Sequence, residues 1–208
     1  MKIGIISATG KAGSLITQEA MTRQHDVTAI VRDKTKLTID MEVLEKNLFD
    51  LTTEDVATFD VIVNAFNAPG DKPELHVTSV KHLASILENT NTRLVMVGGA
   101  GSLFTNADHT EQLKDGADFP EAYKPTAIAM SEALDNLRLE TTFDWLYISP
   151  AAFFNPEGDK TGHYVVAGEE FTTKEKGESV ISYLDYATAL LDQIETNKDN
   201  HIRISVRY

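Results

Sequence analysis

One arrangement in the first 32 residues restricts the fold more than anything else in the chain. Residues 1–7 (MKIGIIS) are an apolar, β-branched run, and Ala8, Thr9, Gly10, Lys11, Ala12 and Gly13 follow as a turn of mostly small residues. Residues 14–23 place Leu15, Ile16, Glu19 and Ala20 at helical spacing, and residues 25–32 (HDVTAIVR) return to β-branched residues before stopping on a basic one. Strand, glycine turn, helix and strand in that order make the first βαβ unit of a dinucleotide-binding fold. Small residues let the chain turn sharply and approach a pyrophosphate closely. The N–H groups at the helix start then meet its charge. The turn reads as G-x-x-G-x-x-G with Ser7, Gly10 and Gly13, or as G-x-G-x-x-G with Ala8, Gly10 and Gly13. Two of three glycines are present in either reading. The expected ligand is NAD or NADP.

The alternation continues. Residues 44–51 read as a short strand, residues 52–58 as a helical turn or two, and residues 59–66 (FDVIVNAF) as a strand buried on both faces. Residues 72–89 read as a helix, 92–97 as a strand, 120–140 as a helix and 143–149 as a strand closed by Pro150. Residues 164–171 and those after them look like a β-hairpin, with the acidic pair Glu169 and Glu170 in solvent. Residues 182–195 form a helix with Ser182 and Asp185 at capping-box spacing, and residues 201–208 (HIRISVRY) alternate as a final strand. The expected architecture is α/β, a Rossmann-type doubly wound parallel sheet in one domain over residues 1–208. Residues from about 150 to 208 contribute a small C-terminal lobe on the substrate side.

Composition removes several classes of function. The net charge of −13 disfavours nucleic acid and anionic membranes, which reward clustered Lys and Arg. Without cysteine there is neither disulfide nor thiolate chemistry. The six histidines show no spacing such as H-E-x-x-H, so no metal is expected. Met1 leads straight into the first strand and no stretch reaches the length of a membrane span, which reads as a cytoplasmic, soluble protein. Nothing distinguishes a monomer from a homodimer.

Four segments carry a family likeness: MKIGIISATGKAGSLITQEAM with HDVTAIVRD, RLVMVGGAGSLF, FPEAYKPTAIAMSEAL, and WLYISPAAFFNP with TGHY and ISYLDYA. In these the chain resembles the atypical short-chain dehydrogenase/reductases of the NAD(P)H-binding, NADH-flavin reductase type, relatives of the NmrA-like and biliverdin-reductase-B groups. The likeness spans essentially the whole chain. It departs at Ser7, where such proteins usually carry Gly. With the rule that ligands bind beyond the carboxyl ends of the strands, the resemblance implies a cofactor set. That set is Ser7, Thr9, Gly10, Lys11, Ala12, Gly13, Arg32, Asp50, Leu51, Ala65, Phe66, Gly98, Gly99 and Pro150.

The wider superfamily pairs Tyr with Lys four residues on, lowering the phenol pKa and holding the nicotinamide ribose. Here the residues four past Tyr123, Tyr147, Tyr164, Tyr183 and Tyr186 are Ala127, Ala151, Gly168, Ala187 and Leu190, and Tyr208 is terminal. Alcohol–ketone interconversion by that pair is not expected. Hydride transfer from NADPH to a flavin or quinone needs less acid–base help, with FMN or FAD as acceptor rather than tightly held group. The alternative is a non-catalytic redox-sensing regulator of the NmrA type. Ser102 can orient or protonate an acceptor, or cap the segment after it. Tyr123 can donate a hydrogen bond to the acceptor, or simply pack at a helix start. Phe153 and Phe154 can wall a flat ring or plug the gap between lobe and sheet. His163 lies near the same cleft segments. At the end of the second strand Arg32 stands where NAD-selecting folds place an acid, with Lys11 and Lys36 nearby, which favours the 2′-phosphate of NADP(H). In the opposing reading Asp33 selects NAD(H).

Overall fold

Strands that are apolar on both faces need cover on both, and the chain supplies it. The computed structural model describes residues 1–174 and 177–208. Eight strands form one sheet in the order β3-β2-β1-β4-β5-β6-β10-β8. They are β1 (Lys2–Ile6), β2 (Asp26–Val31), β3 (Glu42–Glu45), β4 (Val61–Asn64), β5 (Arg93–Val97), β6 (Trp145–Ser149), β8 (Val165–Ala167) and β10 (Ile202–Arg207). All neighbours run parallel except the last pair, where β8 lies antiparallel to β10. Ile5 of β1 sits between Ala29 of β2 and Val63 of β4, which fixes the register at the centre.

Period-two alternation sorts the core into two layers. Ile3, Ile5, Val63, Val95, Ile148 and Val206 face α1 (Lys11–Thr22) and α5 (Tyr183–Thr196), where they meet Ile16, Ala20, Leu190, Leu191 and Ile194. Ile6, Ile30, Ile62, Leu94, Met96 and Tyr147 face α3 (Leu75–Leu87) and α4 (Lys124–Leu137). A single turn, α2 (Thr53–Val56), begins on a capping box between Thr52 and Asp55. The result is a Rossmann-like sheet flanked by helices on both sides. None of the helices among the described residues is long and apolar enough to cross a membrane.

Several expectations need correction. The strand read over 44–51 is β3 followed by a short 3-10 turn at Leu48–Asp50. The helix read from residue 120 starts at Lys124, because Pro120 and Pro125 restrict the backbone before it and a 3-10 turn (Glu121–Tyr123) intervenes. Among the described residues β8 makes no hairpin with the segment after it. β8 completes its hydrogen bonds on β10 instead, and residues 175 and 176 of the following arm lie outside the described residues. Nor is the acidic pair simply solvated, since Glu169 accepts from Arg203 and Arg138. A second sheet went unread: β7 (Phe153–Asn155) pairs in parallel with β9 (Val180–Ser182) just past the carboxyl end of β6.

Candidate functional site

The strand order places β1 beside β4, with α1 leaving one face of the sheet and α3 the other. A crevice opens where neighbouring connections part in this way. Ser7 ends β1 in the left-handed region, with φ 62°. Its N–H donates to the Ile30 carbonyl (3.0 Å) and its carbonyl accepts from Gly10 N–H (2.8 Å), so the turn doubles back within three residues. A Cβ on Gly13 would stand 2.2 Å from the Ser7 carbonyl oxygen, so only glycine lets α1 press this closely on β1. Gly10 is the N-cap of α1, with no side-chain cap and no acidic residue in the first turn. The first N–H groups of the helix therefore face outward without a side-chain acceptor, as an anion site requires.

Left-handed φ at a residue with a Cβ costs about 1–2 kcal/mol, partly offset by the extra chain entropy that glycine loses on folding. Ser7→Gly is thus expected to stabilise the ligand-free protein by about 0.5–1 kcal/mol, a rise of roughly 2 °C in Tm. A lower Tm for the variant would show that the serine is unstrained there.

Beside the turn lies a cleft of about 200 Å³ between α1 and the loop after β2, lined by residues that include Thr9, Ser14, Gln18, Lys36 and Leu37. Arg32, at the end of β2, is exposed. Asp33 caps the turn that follows, accepting from Thr35 N–H (3.0 Å) and the Thr35 hydroxyl (2.5 Å). The hydroxyl and N–H of Thr35 hold its carboxyl below the usual aspartate range. Lys34 pairs with Glu45 at 3.2 Å and Lys36 with Asp33 at 3.9 Å. Among the described residues Arg32 has no such partner. Asp50 is exposed and Leu51 buried, with the Leu51 carbonyl 3.1 Å from His82 Nε2. Ala65 N–H donates to the Ile6 carbonyl, which ties the end of β4 to β1. Phe66 packs edge-on to Phe49 and tilted against His76.

Further along the same edge, Gly98 and Gly99 end β5 over Tyr147. A Cβ on Gly98 would lie 2.2 Å from that ring, and Gly99 N–H donates to the Tyr147 hydroxyl at 3.2 Å. Burial pushes the Tyr147 phenol up to about 12. Tyr186, also buried, donates to the Ile148 carbonyl at 2.7 Å. Pro150 is buried at the end of β6.

The structure brings Ser7, Thr9, Gly10, Lys11, Ala12, Gly13, Arg32, Ala65, Phe66, Gly98, Gly99 and Pro150 to the carboxyl ends of β1, β2, β4, β5 and β6. The candidates for acceptor chemistry fare differently. Ser102 is buried, and its hydroxyl accepts from Arg203 Nη1 at 3.3 Å. Tyr123 is 67% exposed at the N-cap of α4. Phe154 packs on Tyr183, with ring centroids 3.8 Å apart, and on Tyr186, whereas Phe153 is 57% exposed. His163 is exposed in the loop that Asp185 holds. Sequence reading missed Arg203, Tyr147, Tyr186 and the anchoring role of Asp185. The one available signal was basic or acidic residues set inside otherwise apolar periodic elements.

The chain is similar to several known proteins. The sequence model of a family described as NAD(P)H-binding matches residues 7–197. The uncharacterised protein YwnB of Bacillus subtilis (strain 168) is 46% identical over 208 residues, covering 99% of this chain and 98% of its own. A solved Streptococcus pneumoniae structure named "putative NADH-flavin reductase" is 45% identical with a TM-score of 0.95, covering 100% of this chain and 99% of its own. A Bacteroides thetaiotaomicron structure named "putative epimerase" is 32% identical with a TM-score of 0.86, covering 100% and 96%.

Proposed function

The chain belongs to the NAD(P)H-binding family, and from that premise we propose that it is an oxidoreductase passing hydride from NADPH to a flavin, quinone or similar conjugated acceptor. The observation that carries this reading is the state of the protic side chains at the carboxyl edge. Ser102 accepts from Arg203, the Tyr147 hydroxyl is taken by Gly99 N–H, and the Tyr186 hydroxyl donates to the Ile148 carbonyl. The Asn64 amide oxygen accepts from Phe66 N–H. Burial pushes the Tyr147 phenol up to about 12, which makes it a weak proton donor and suits an acceptor that stabilises its own charge and takes its proton from water. The missing Tyr/Lys pair supports the same conclusion, as does the name of the Streptococcus pneumoniae relative.

The site fits a nicotinamide dinucleotide on its own geometry: a glycine cradle that a Cβ would fill and an uncapped helix start. Bound there, the cofactor supplies the hydride. Gly10, Lys11, Ala12 and Gly13 would receive its pyrophosphate, Asp50 and Leu51 would border the adenine, and Ala65, Gly98, Gly99 and Pro150 would line the path to the nicotinamide. Phe153, Phe154 and residues of the lobe after 150 would exclude water over the acceptor, and the whole chain acts as one unit.

NADPH oxidation measured with and without FMN, FAD or menadione tests this function. Turnover is expected with these acceptors and none in reverse with simple alcohols and NADP. Tight NADPH binding with no oxidation across the panel would favour the redox-sensing regulator instead.

NADP(H) is preferred over NAD(H) in this reading because Asp33 is committed to Thr35, leaving the Arg32 guanidinium free for a 2′-phosphate. Lys11 and Lys36 would add to the same field. Arg32→Ala should weaken NADPH binding by about tenfold or more and hardly change NADH, since charge-assisted contacts contribute about 1.5–3 kcal/mol. Equal loss for both cofactors in a binding titration would refute this use of Arg32.

A further inference from the structure

Arg203 is the second residue of the last strand, and its side chain is wholly out of solvent. Nη1 donates to the Ser102 hydroxyl at 3.3 Å and the Ser149 hydroxyl at 3.5 Å. Nη2 donates to the backbone carbonyls of Ser102 (3.2 Å) and Glu169 (3.1 Å), and Nε donates to Glu169 Oε2 at 2.9 Å. Glu169 closes an ion pair with Nη2 and takes a second arginine, Arg138, at 2.7 Å. Phe104 lies against the guanidinium, 5.9 Å from its ring centroid.

A strand position in a core is filled more simply by an aliphatic residue, which carries no desolvation penalty. Charge balance through Glu169 explains how the guanidinium is tolerated. It does not explain where the remaining donors go. They reach Ser102, which continues the Gly98–Gly99 turn past β5, and Ser149, which ends β6 just before Pro150. In the proposed function these two segments line the path to the nicotinamide, on which the acceptor must stack. A planar fork can hold both segments and its Glu169 counter-ion at once, with Nη1 on the two hydroxyls and Nη2 and Nε on the Ser102 carbonyl and Glu169, and a point charge cannot.

We propose that Arg203 is a positioning residue for the acceptor site, setting the separation of the β5 and β6 carboxyl ends through Ser102 and Ser149. Ser102 is then a tether and not a proton donor. The proposal rests on the reductase reading and refines where its acceptor specificity originates.

The test uses the full chain with NADPH and menadione, in Arg203→Lys, Arg203→Met, Ser102→Ala and the Ser102→Ala/Ser149→Ala pair. Loosening a site by an ångström or so costs up to about a hundredfold in rate, so KM for menadione should rise about tenfold in Arg203→Met. NADPH affinity should fall less than this, because its pyrophosphate is held at the β1 turn, far along the sheet edge. Ser102→Ala should raise KM less and leave the pH profile of kcat unchanged. A fall in kcat with an altered pH profile would mean that Ser102 donates a proton, which overturns the proposal. Arg203→Lys should recover little, since one ammonium cannot hold both serine hydroxyls, the Ser102 carbonyl and Glu169 at once. Full recovery by lysine, or an Arg203→Met protein with native KM, also overturns it. If Arg203→Met does not fold, the serine pair carries the test, and an unchanged menadione KM there counts against the proposal. If the wild-type protein binds NADPH but reduces no acceptor, the reductase reading fails. Hydrogen exchange at residues 102–104 in Arg203→Lys then decides the tether itself: faster exchange supports it and unchanged exchange rejects it.

Discussion

Gly13→Val is expected to abolish dinucleotide binding while most of the sheet remains folded. The added Cβ would stand 2.2 Å from the Ser7 carbonyl oxygen, 3.0 Å from its carbon and 3.3 Å from Ala8 Cα. All three are backbone atoms, so no side chain can swing aside and α1 must retreat from β1. The N–H groups at the helix start then miss the pyrophosphate. Losing two charge-assisted hydrogen bonds is worth about 3 kcal/mol or more, over a hundredfold in Kd. The overpacking itself costs about 1–3 kcal/mol of stability, which a core of this size tolerates. Calorimetry with NADPH, beside circular dichroism to confirm the fold, separates the two effects. Native affinity in a folded variant would move the binding site away from this turn.

Asp185→Ala should produce the largest loss of stability. Asp185 is 0% exposed in the first turn of α5, and no cation pairs with it among the described residues. Instead its carboxylate accepts from Thr161 N–H (2.9 Å), the Thr161 hydroxyl (2.8 Å), Gly162 N–H (2.8 Å) and the Tyr208 hydroxyl (2.8 Å). Burial works to raise its pKa, but the Thr161 and Gly162 N–H groups and the two hydroxyls outweigh burial and hold it below the ordinary aspartate value. Removing the carboxylate strands several donors at about 1–3 kcal/mol each, some of which water can reach, so a loss of about 3 kcal/mol is expected. The sign with pH follows from the depressed pKa. The contribution is complete above the unfolded value near 3.8 and disappears as pH falls through the lower folded one. Urea unfolding at pH 7 should show the full difference between wild type and variant. Acid unfolding should show it shrinking below pH 4. A difference independent of pH would mean that Asp185 packs rather than accepts.

The first βαβ unit was legible because each of its parts has a local cause. β-branched residues extend, glycines turn, and an apolar stripe repeats every three to four residues, with no distant partner needed. Ser7 was visible only as a departure from glycine; its left-handed backbone shows what the departure costs. The final strand was harder to interpret. In HIRISVRY the polar residues Arg203, Ser205 and Arg207 alternate with apolar ones, which normally marks a solvent face. β10 is an interior strand, however, and the polar face is covered by the loop after β5 and the segment after β8. Both covers come from far along the chain, so no local pattern announces them. The same reason hid Tyr147 and Tyr186, whose hydroxyl partners are set by tertiary packing. Ser102 was singled out as chemical because it follows a glycine turn. The buried arginine that occupies its hydroxyl lies 101 residues away.

Helix α5 covers α1, with Leu190, Leu191 and Ile194 in the same cluster as Ile16 and Ala20. Arg23, just past α1, seals the contact by pairing with Asp192 at 2.7 Å and Glu195 at 3.0 Å. On the ribosome this has a cost in time. At about 5–20 residues per second, α1 waits on the order of ten seconds with its partner not yet made, and one apolar face of the nascent sheet waits with it. That interval is when a chaperone has something to hold. A nascent chain halted before α5 should expose that face and be retained, so α1, the first helix synthesised, is covered by the last one.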